Sequence, residues 1–184
     1  MVLTGERLLA VDREAVWKAL NDPEILKASI PGCETIEKTG DNEYAIAVLA
    51  ALGPVRAKFN GKLLLEDVVA PESYTLRFEG TGGAAGFAKG SAKVTLTDDD
   101  GATLIRYAVT AQVGGRIAQV GNRLVDSAAL KLADDFFAAF EKCVPGTHFQ
   151  KSVPGTHFQK LVPGTIFWVA AAAAAAGAVF VALR

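Results

Sequence analysis

With 184 residues, the chain is long enough for one domain with a real core plus an extension. Its 19 basic and 20 acidic side chains leave a net charge of −1, so it lacks the basic footprint of a nucleic-acid binder. Two cysteines, Cys33 and Cys143, exclude a disulfide framework and point to a reducing compartment.

The first segment, Val2 to Val11, reads as a strand. The N-terminal stretch, Met1 to Leu20, carries charges throughout and has no apolar run like the core of a secretory signal, so the domain is expected to stay in the cytoplasm. Asp12 stands where an N-cap belongs, with Glu14 in the first turn, and a helix follows through Trp17 to Leu20. Asn21-Asp22-Pro23 starts a second short helix to about Ala28, which Ile30-Pro31-Gly32-Cys33 ends.

The period then changes to two. Tyr44, Ile46 and Val48 share one strand face, and Leu52-Gly53-Pro54 turns the chain. Along the next strand Val55, Ala57, Phe59, Gly61, Leu63 and Leu65 face one way, while Arg56, Lys58, Asn60 and Lys62 face the other. Tyr74, Leu76 and Phe78 alternate in the same manner, Val94 and Leu96 continue the pattern, and Asp98 to Gly101 make a turn. Ile105, Tyr107, Val109 and Ala111 form the last alternating face before Gly114-Gly115. From Arg116 to about Lys142 the spacing of Ile117, Val120, Leu124, Ala128, Leu132, Phe136, Phe137 and Phe140 predicts one long helix.

This order predicts an α+β domain in which a curved antiparallel sheet wraps a long C-terminal helix. Small residues on the facing surfaces would leave an apolar cavity between them. The candidate lining is Tyr44, Ala57, Phe59, Gly61, Leu63, Phe78, Phe87, Tyr107, Val109, Ile117, Val120 and Leu124. Periodicity alone equally allows these residues to fill an ordinary core.

The chemistry-bearing patterns are weak. Gly80 to Ala92, GTGGAAGFAKGSA, is glycine-rich, but Lys89 precedes Gly90 and a strand follows, so it does not match a phosphate-binding loop. It reads better as a gate or partner loop with Phe87 at its tip, or as a bulged hairpin. Cys33 has no histidine within the folded part to act as its base. Arg116, Arg123 and Lys131 on the helix, and Arg56, Lys58 and Lys62 on one strand face, could meet an acidic partner or anionic headgroups, or simply face solvent. No nucleophile triad, acid–base pair or metal cluster is found, and the chain is read as a non-enzyme with no catalytic residue and no metal.

Beyond the domain, Val144 to Thr165 holds a nine-residue near-repeat, VPGTHFQKS then VPGTHFQKL, with both histidines, His148 and His157. Each copy carries Pro-Gly, which interrupts regular structure, and no carboxylate or cysteine accompanies the histidines. It reads as a tether averaging roughly 25 Å end to end and stretching to about 75 Å. Ile166 to Leu183 has no charged side chain; as a helix it would be about 27 Å long, against a hydrocarbon core of about 30 Å. Ile166, Phe167, Trp168, Val179, Phe180 and Leu183 would supply a C-terminal membrane anchor, the other reading being a helix that packs on protein. The chain thus divides into a ligand-binding domain over 1–143, a linker over 144–165 and an anchor over 166–184.

The element order resembles the helix-grip (START-like) superfamily of lipid, steroid and polyketide binders. GERLLAVDREAVWKALNDPEILKASIPGCE, LGPVRAKFNGK, GTGGAAGFAKGSAKV and AQVGG are more specifically similar to the carbon monoxide dehydrogenase G-subunit family, over Val2 to about Lys142. That resemblance implies a partner, a molybdenum-containing dehydrogenase, and a role in maturing it, placing it at the membrane or connecting it to the respiratory chain. Together with the anchor it leads to the expectation of a protein on the cytoplasmic face of the membrane that has no covalently bound cofactor. Its cavity is expected to take a quinone, menaquinone or ubiquinone, or a similar lipid. The alternatives are a purely structural recruitment anchor and an aromatase- or cyclase-type enzyme.

Overall fold

A computed structural model of the chain describes residues 2–146. Seven strands form one antiparallel sheet: β1 (Val2–Leu9), β2 (Cys33–Lys38), β3 (Glu43–Leu52), β4 (Val55–Val69), β5 (Ser73–Thr81), β6 (Phe87–Asp99) and β7 (Ala102–Gly114). Their order across the sheet is β1-β7-β6-β5-β4-β3-β2, a meander from β2 to β7 with β1 returned to the far edge. Helices α1 (Arg13–Leu20) and α2 (Pro23–Ser29) connect the two edge strands, and α3 (Asn122–Cys143) lies on the concave face. This is the helix-grip arrangement that the element order predicts.

The local chemistry explains the helix boundaries. The Asp12 carboxylate accepts the Ala15 N–H at 2.9 Å, and the Asp22 carboxylate accepts the Glu24 N–H at 2.8 Å, satisfying donors that a helix leaves free at its first turn. Pro23 opens α2, where its missing N–H costs nothing. Thr103, fully buried on β7, donates its hydroxyl to the Val11 carbonyl at 2.7 Å and so ties the β1–α1 junction to the sheet.

Two elements differ from the sequence expectation. The stretch from Arg116 to Lys142 is not one helix: Gly115–Val120 form a 3-10 turn, and Gly121, at φ 98°, separates it from α3. A left-handed residue cannot continue a right-handed helix, and glycine takes that conformation without a Cβ clash. Strand β2 is an addition: the segment after Cys33 pairs with β3, from Cys33 opposite Val48 to Lys38 opposite Tyr44, with a shift in register between Cys33 and Thr35.

The core lies between α3 and the sheet. Phe136 stacks on Phe140 with ring centroids 5.4 Å apart, meets Phe137 edge-on at 5.1 Å, and Phe137 stacks on Tyr107 of β7 at 5.5 Å. Arg7 of β1 forms an ion pair with Asp134 of α3 and lies over the Phe137 ring, joining the helix to the edge strand. The tether over 144–165 lies outside the described residues from position 147 onward, and the anchor expected at Ile166 to Leu183 lies wholly outside them. Among the described residues no helix is long and apolar enough to cross a membrane.

Replacing Thr103 with Val keeps the shape but leaves the buried Val11 carbonyl without that donor. The expected loss of stability is about 1–3 kcal/mol, read from urea unfolding followed by circular dichroism.

Candidate functional site

Between the α1–α2 pair, the sheet and the C-terminal half of α3 lies an apolar cavity of about 40 Å³. Leu20, Leu26 and Ile30 cover it from the helical pair, and Phe136 and Phe137 wall it from α3. The sheet contributes Tyr44 of β3, Leu63 and Leu65 of β4, Tyr74 and Leu76 of β5, Val94 of β6, and Ile105 and Tyr107 of β7. These sheet residues share the concave face because each strand alternates its side chains. A volume of this size holds roughly two to four waters, so a larger ligand must displace lining side chains or lift the helical pair.

The polar content of this apolar site is phenolic. The chain has three tyrosines, and all three line the cavity. The Tyr44 hydroxyl donates to the Asn21 carbonyl at 3.3 Å. Tyr74 meets Trp17 of α1 edge-on, with centroids 5.6 Å apart, and burial raises its pKa well above the ordinary phenol value. The Tyr107 hydroxyl is buried with no hydrogen-bond partner, and burial pushes its pKa up to about 12. An unpaired buried hydroxyl costs about 1–3 kcal/mol unless something satisfies it. A ligand that presents an acceptor oxygen would do so.

Of the residues predicted to line the cavity, Tyr44, Leu63 and Tyr107 do. Phe59, Phe78, Val109 and Ile117 are buried in the core, Ala57, Gly61, Val120 and Leu124 are half-buried, and Phe87 is 40% exposed; none of these lines the cavity. Several of these residues lie toward the opposite end of the sheet, where aromatic rings fill the space that small residues were expected to leave. A Cβ on Gly82 would come within 2.6 Å of the Phe59 ring, so that ring lies directly on the glycine-rich turn. Leu20, Leu26 and Ile30 were missed because the helical pair has no strand-like alternation to mark a shared face. Tyr74 was also missed although it stands on an alternating strand face with Leu76 and Phe78, and the register sets it across Val94 from Tyr107.

The other candidates resolve simply. The glycine-rich segment forms a 3-10 turn, Gly83–Ala85, between β5 and β6, not a loop entering a helix. Cys33 is half-buried, its thiol donates to the Thr35 carbonyl at 3.5 Å, and burial raises its pKa, which disfavours the thiolate. Among the described residues no three His, Cys, Asp or Glu side chains come together as a metal site.

A curved sheet gripping one long helix, with a mostly apolar cavity beneath a helical pair, defines a helix-grip domain of the START-like kind. The family model for the G subunit of carbon monoxide dehydrogenase (CoxG) matches residues 5–145, and the chain belongs to that family. Membership assigns it an accessory role beside a carbon monoxide dehydrogenase. A conserved protein from Geobacillus kaustophilus is similar at 31% identity and a TM-score of 0.74, covering 78% of this chain and 95% of that one. A Thermus thermophilus protein (16% identity, TM-score 0.60, covering 78% and 97%) and a Mycobacterium smegmatis protein (19%, 0.58, covering 80% and 92%) share the fold. A comparison with curated proteins returned no significant match.

Because the buried Tyr107 hydroxyl has no hydrogen-bond partner, Tyr107→Phe should leave the domain as stable or raise its unfolding midpoint at neutral pH. The raised phenol pKa also carries a sign. The unfolded chain releases this proton near pH 10 and the folded domain only near 12, so the folded state holds the extra proton between them. Stability should therefore fall as pH rises from about 10 to about 12, and Tyr107→Phe should flatten that decline in thermal unfolding series.

Proposed function

We propose that this chain binds a respiratory quinone, menaquinone or ubiquinone, in the cavity under α1 and α2, and so links its dehydrogenase to the membrane electron-transport chain. The observation that carries the reading is the buried Tyr107 hydroxyl, which has no hydrogen-bond partner and belongs to a residue lining a mostly apolar cavity. A quinone is a flat apolar ring with two carbonyl acceptors. Its ring can pack among the leucines and phenylalanines while one carbonyl accepts the Tyr107 proton. Tyr44 already donates to the Asn21 carbonyl, and of the three tyrosines it is Tyr107 whose buried hydroxyl stands without a partner, which makes it the polar anchor of the site.

The affinity then comes mainly from burial, at roughly 25 cal/mol per Å² of apolar surface, with the hydrogen bond fixing orientation. Entry requires the lining to part, and the helical pair is the thin cover: Leu20, Leu26 and Ile30 meet the cavity from short helices of 8 and 7 residues. The chain itself moves no electrons. It would hold the quinone, exclude water from it and present it to the partner enzyme. The tail from Ile166 to Leu183 would keep this exchange within reach of the bilayer at the cytoplasmic face.

A second reading is a structural anchor that recruits the dehydrogenase and carries nothing. The small cavity volume favours it, since a site of about 40 Å³ must open before it takes a ring.

Trp17 offers a reporter, because its ring touches Tyr74 at the cavity wall. In full-length protein with Trp168→Phe, titration with a short-chain ubiquinone should quench Trp17 fluorescence to saturation. Tyr107→Phe should weaken binding about 5- to 10-fold, and Val94→Phe, which fills the cavity, should abolish it. If the titration never saturates, or Val94→Phe binds like the parent, the anchor reading holds and the carrier reading fails.

A further inference from the structure

In an antiparallel meander, successive connections alternate between the two ends of the sheet. The β2–β3, β4–β5 and β6–β7 turns lie at one end, and the β3–β4, β5–β6 and β7–α3 connections lie at the other. Charge follows the same division. The first set of turns carries Asp41, Asp67, Glu72 and the run Asp98 to Asp100. The second set, residues 51–58, 80–91 and 112–125, carries Arg56, Lys58, Lys89, Arg116 and Arg123, and the acids that border it are Glu34, paired with Lys58, and Glu79, opposite Lys89 in the β5–β6 register.

Lys58 is paired with Glu34 at 2.6 Å. Arg56, Arg116 and Arg123 are exposed and take part in no ion pair among the described residues. The three connections touch one another. The Leu124 side chain lies 3.3 Å from where a Cβ of Gly53 would stand, and Gly86 packs so closely on the backbone of Gly114 and Gly115 that neither Gly86 nor Gly115 can carry a side chain without displacement. Phe87 covers Gly114, remains 40% exposed and has the Lys89 ammonium 5.9 Å from its ring centroid.

We propose that this net-basic end is a docking face for an anionic lipid bilayer, with Arg56, Arg116 and Arg123 on the phosphates and Phe87 at headgroup depth. An aromatic tip on a turn of glycine and alanine, rimmed by cations that have no protein partner, matches the layering of an anionic membrane surface. The acidic turns at the far end are repelled by the same surface, so the charge distribution both attracts and orients the molecule. In that pose α3 leads away from the bilayer for about 33 Å. Residues 147–165, 19 in number, can extend to about 65 Å, enough to bring the following segment back to the same surface. The cavity, lined by Tyr44, Leu65, Tyr74 and Ile105 toward the acidic end, stands away from the bilayer in this pose, so the docking face orients the domain and does not itself load the cavity.

The test uses the full chain with Cys33→Ser and Cys143→Ser, labelled with an environment-sensitive nitrobenzoxadiazole dye at Ala84→Cys on the β5–β6 turn, or at Asp99→Cys on the opposite end. Vesicles of phosphatidylcholine with about one-third phosphatidylserine should raise and blue-shift emission at position 84 but not at 99, and neutral vesicles should do neither. Adding Arg56→Gln, Arg116→Gln and Arg123→Gln should weaken the response roughly fivefold per arginine, and raised salt should act in the same direction. Equal responses at both positions, or a response at 84 that is indifferent to phosphatidylserine or to the triple substitution, overturns the proposal. So does a triple variant that loses binding to the dehydrogenase while its vesicle response is intact, because the face would then belong to an acidic protein. These readouts do not involve the Trp17 titration, so either idea can fail without the other.

Discussion

The aromatic seam between α3 and β7 is the contact on which the rest of the structure depends. Tyr107, Phe137, Phe136 and Phe140 form a continuous chain of rings, with centroid separations of 5.1–5.5 Å. Such pairs add about 0.5–1.5 kcal/mol each beyond the area they bury. They seat the helix in the concave sheet, and the Arg7–Asp134 ion pair sets the same helix against the edge strand. The same rings also make the site. Tyr107 and Phe137 are at once core residues and cavity wall, so the space under α1 and α2 is what remains once the seam is packed.

That dual role explains why the cavity is small and why its polar group is unpaired. Rings large enough to hold α3 leave little room beside them. The hydroxyl of Tyr107 is buried beside the seam without a hydrogen-bond partner, although the Arg7–Asp134 ion pair is near enough to act on it electrostatically. A protein selected only for stability would gain by exchanging that tyrosine for phenylalanine. The hydroxyl makes sense if a ligand completes it.

Most of the sheet was legible because burial on one face imposes a period of two, as along Ala57, Phe59, Gly61 and Leu63 or Ile105, Tyr107 and Val109. β2 was not, because in Cys33–Lys38 only Ile36 is buried, and an edge strand with one core residue has no alternation to read. The long helix was legible from Leu124 onward, but the turn before it was not. Apolar spacing continues through Ile117 and Val120 while the break at Gly121 is a matter of backbone angle. The cavity was legible as a face and not as a place. Alternation says which side of a 13- or 15-residue strand is inward, yet it cannot say at which end the facing helices stand off and at which end Phe59 fills the gap.

The family assignment and the fold together place the chain beside a dehydrogenase as an accessory protein, and the proposed function turns on whether the cavity carries a ligand. The most direct measurement is mass spectrometry of lipids extracted from the full-length protein purified from a membrane-containing lysate, compared with Val94→Phe prepared in parallel. The account predicts near-stoichiometric quinone with the parent protein and its absence from the filled-cavity variant. Parent protein free of quinone, or both proteins carrying the same lipids in the same amounts, would contradict it.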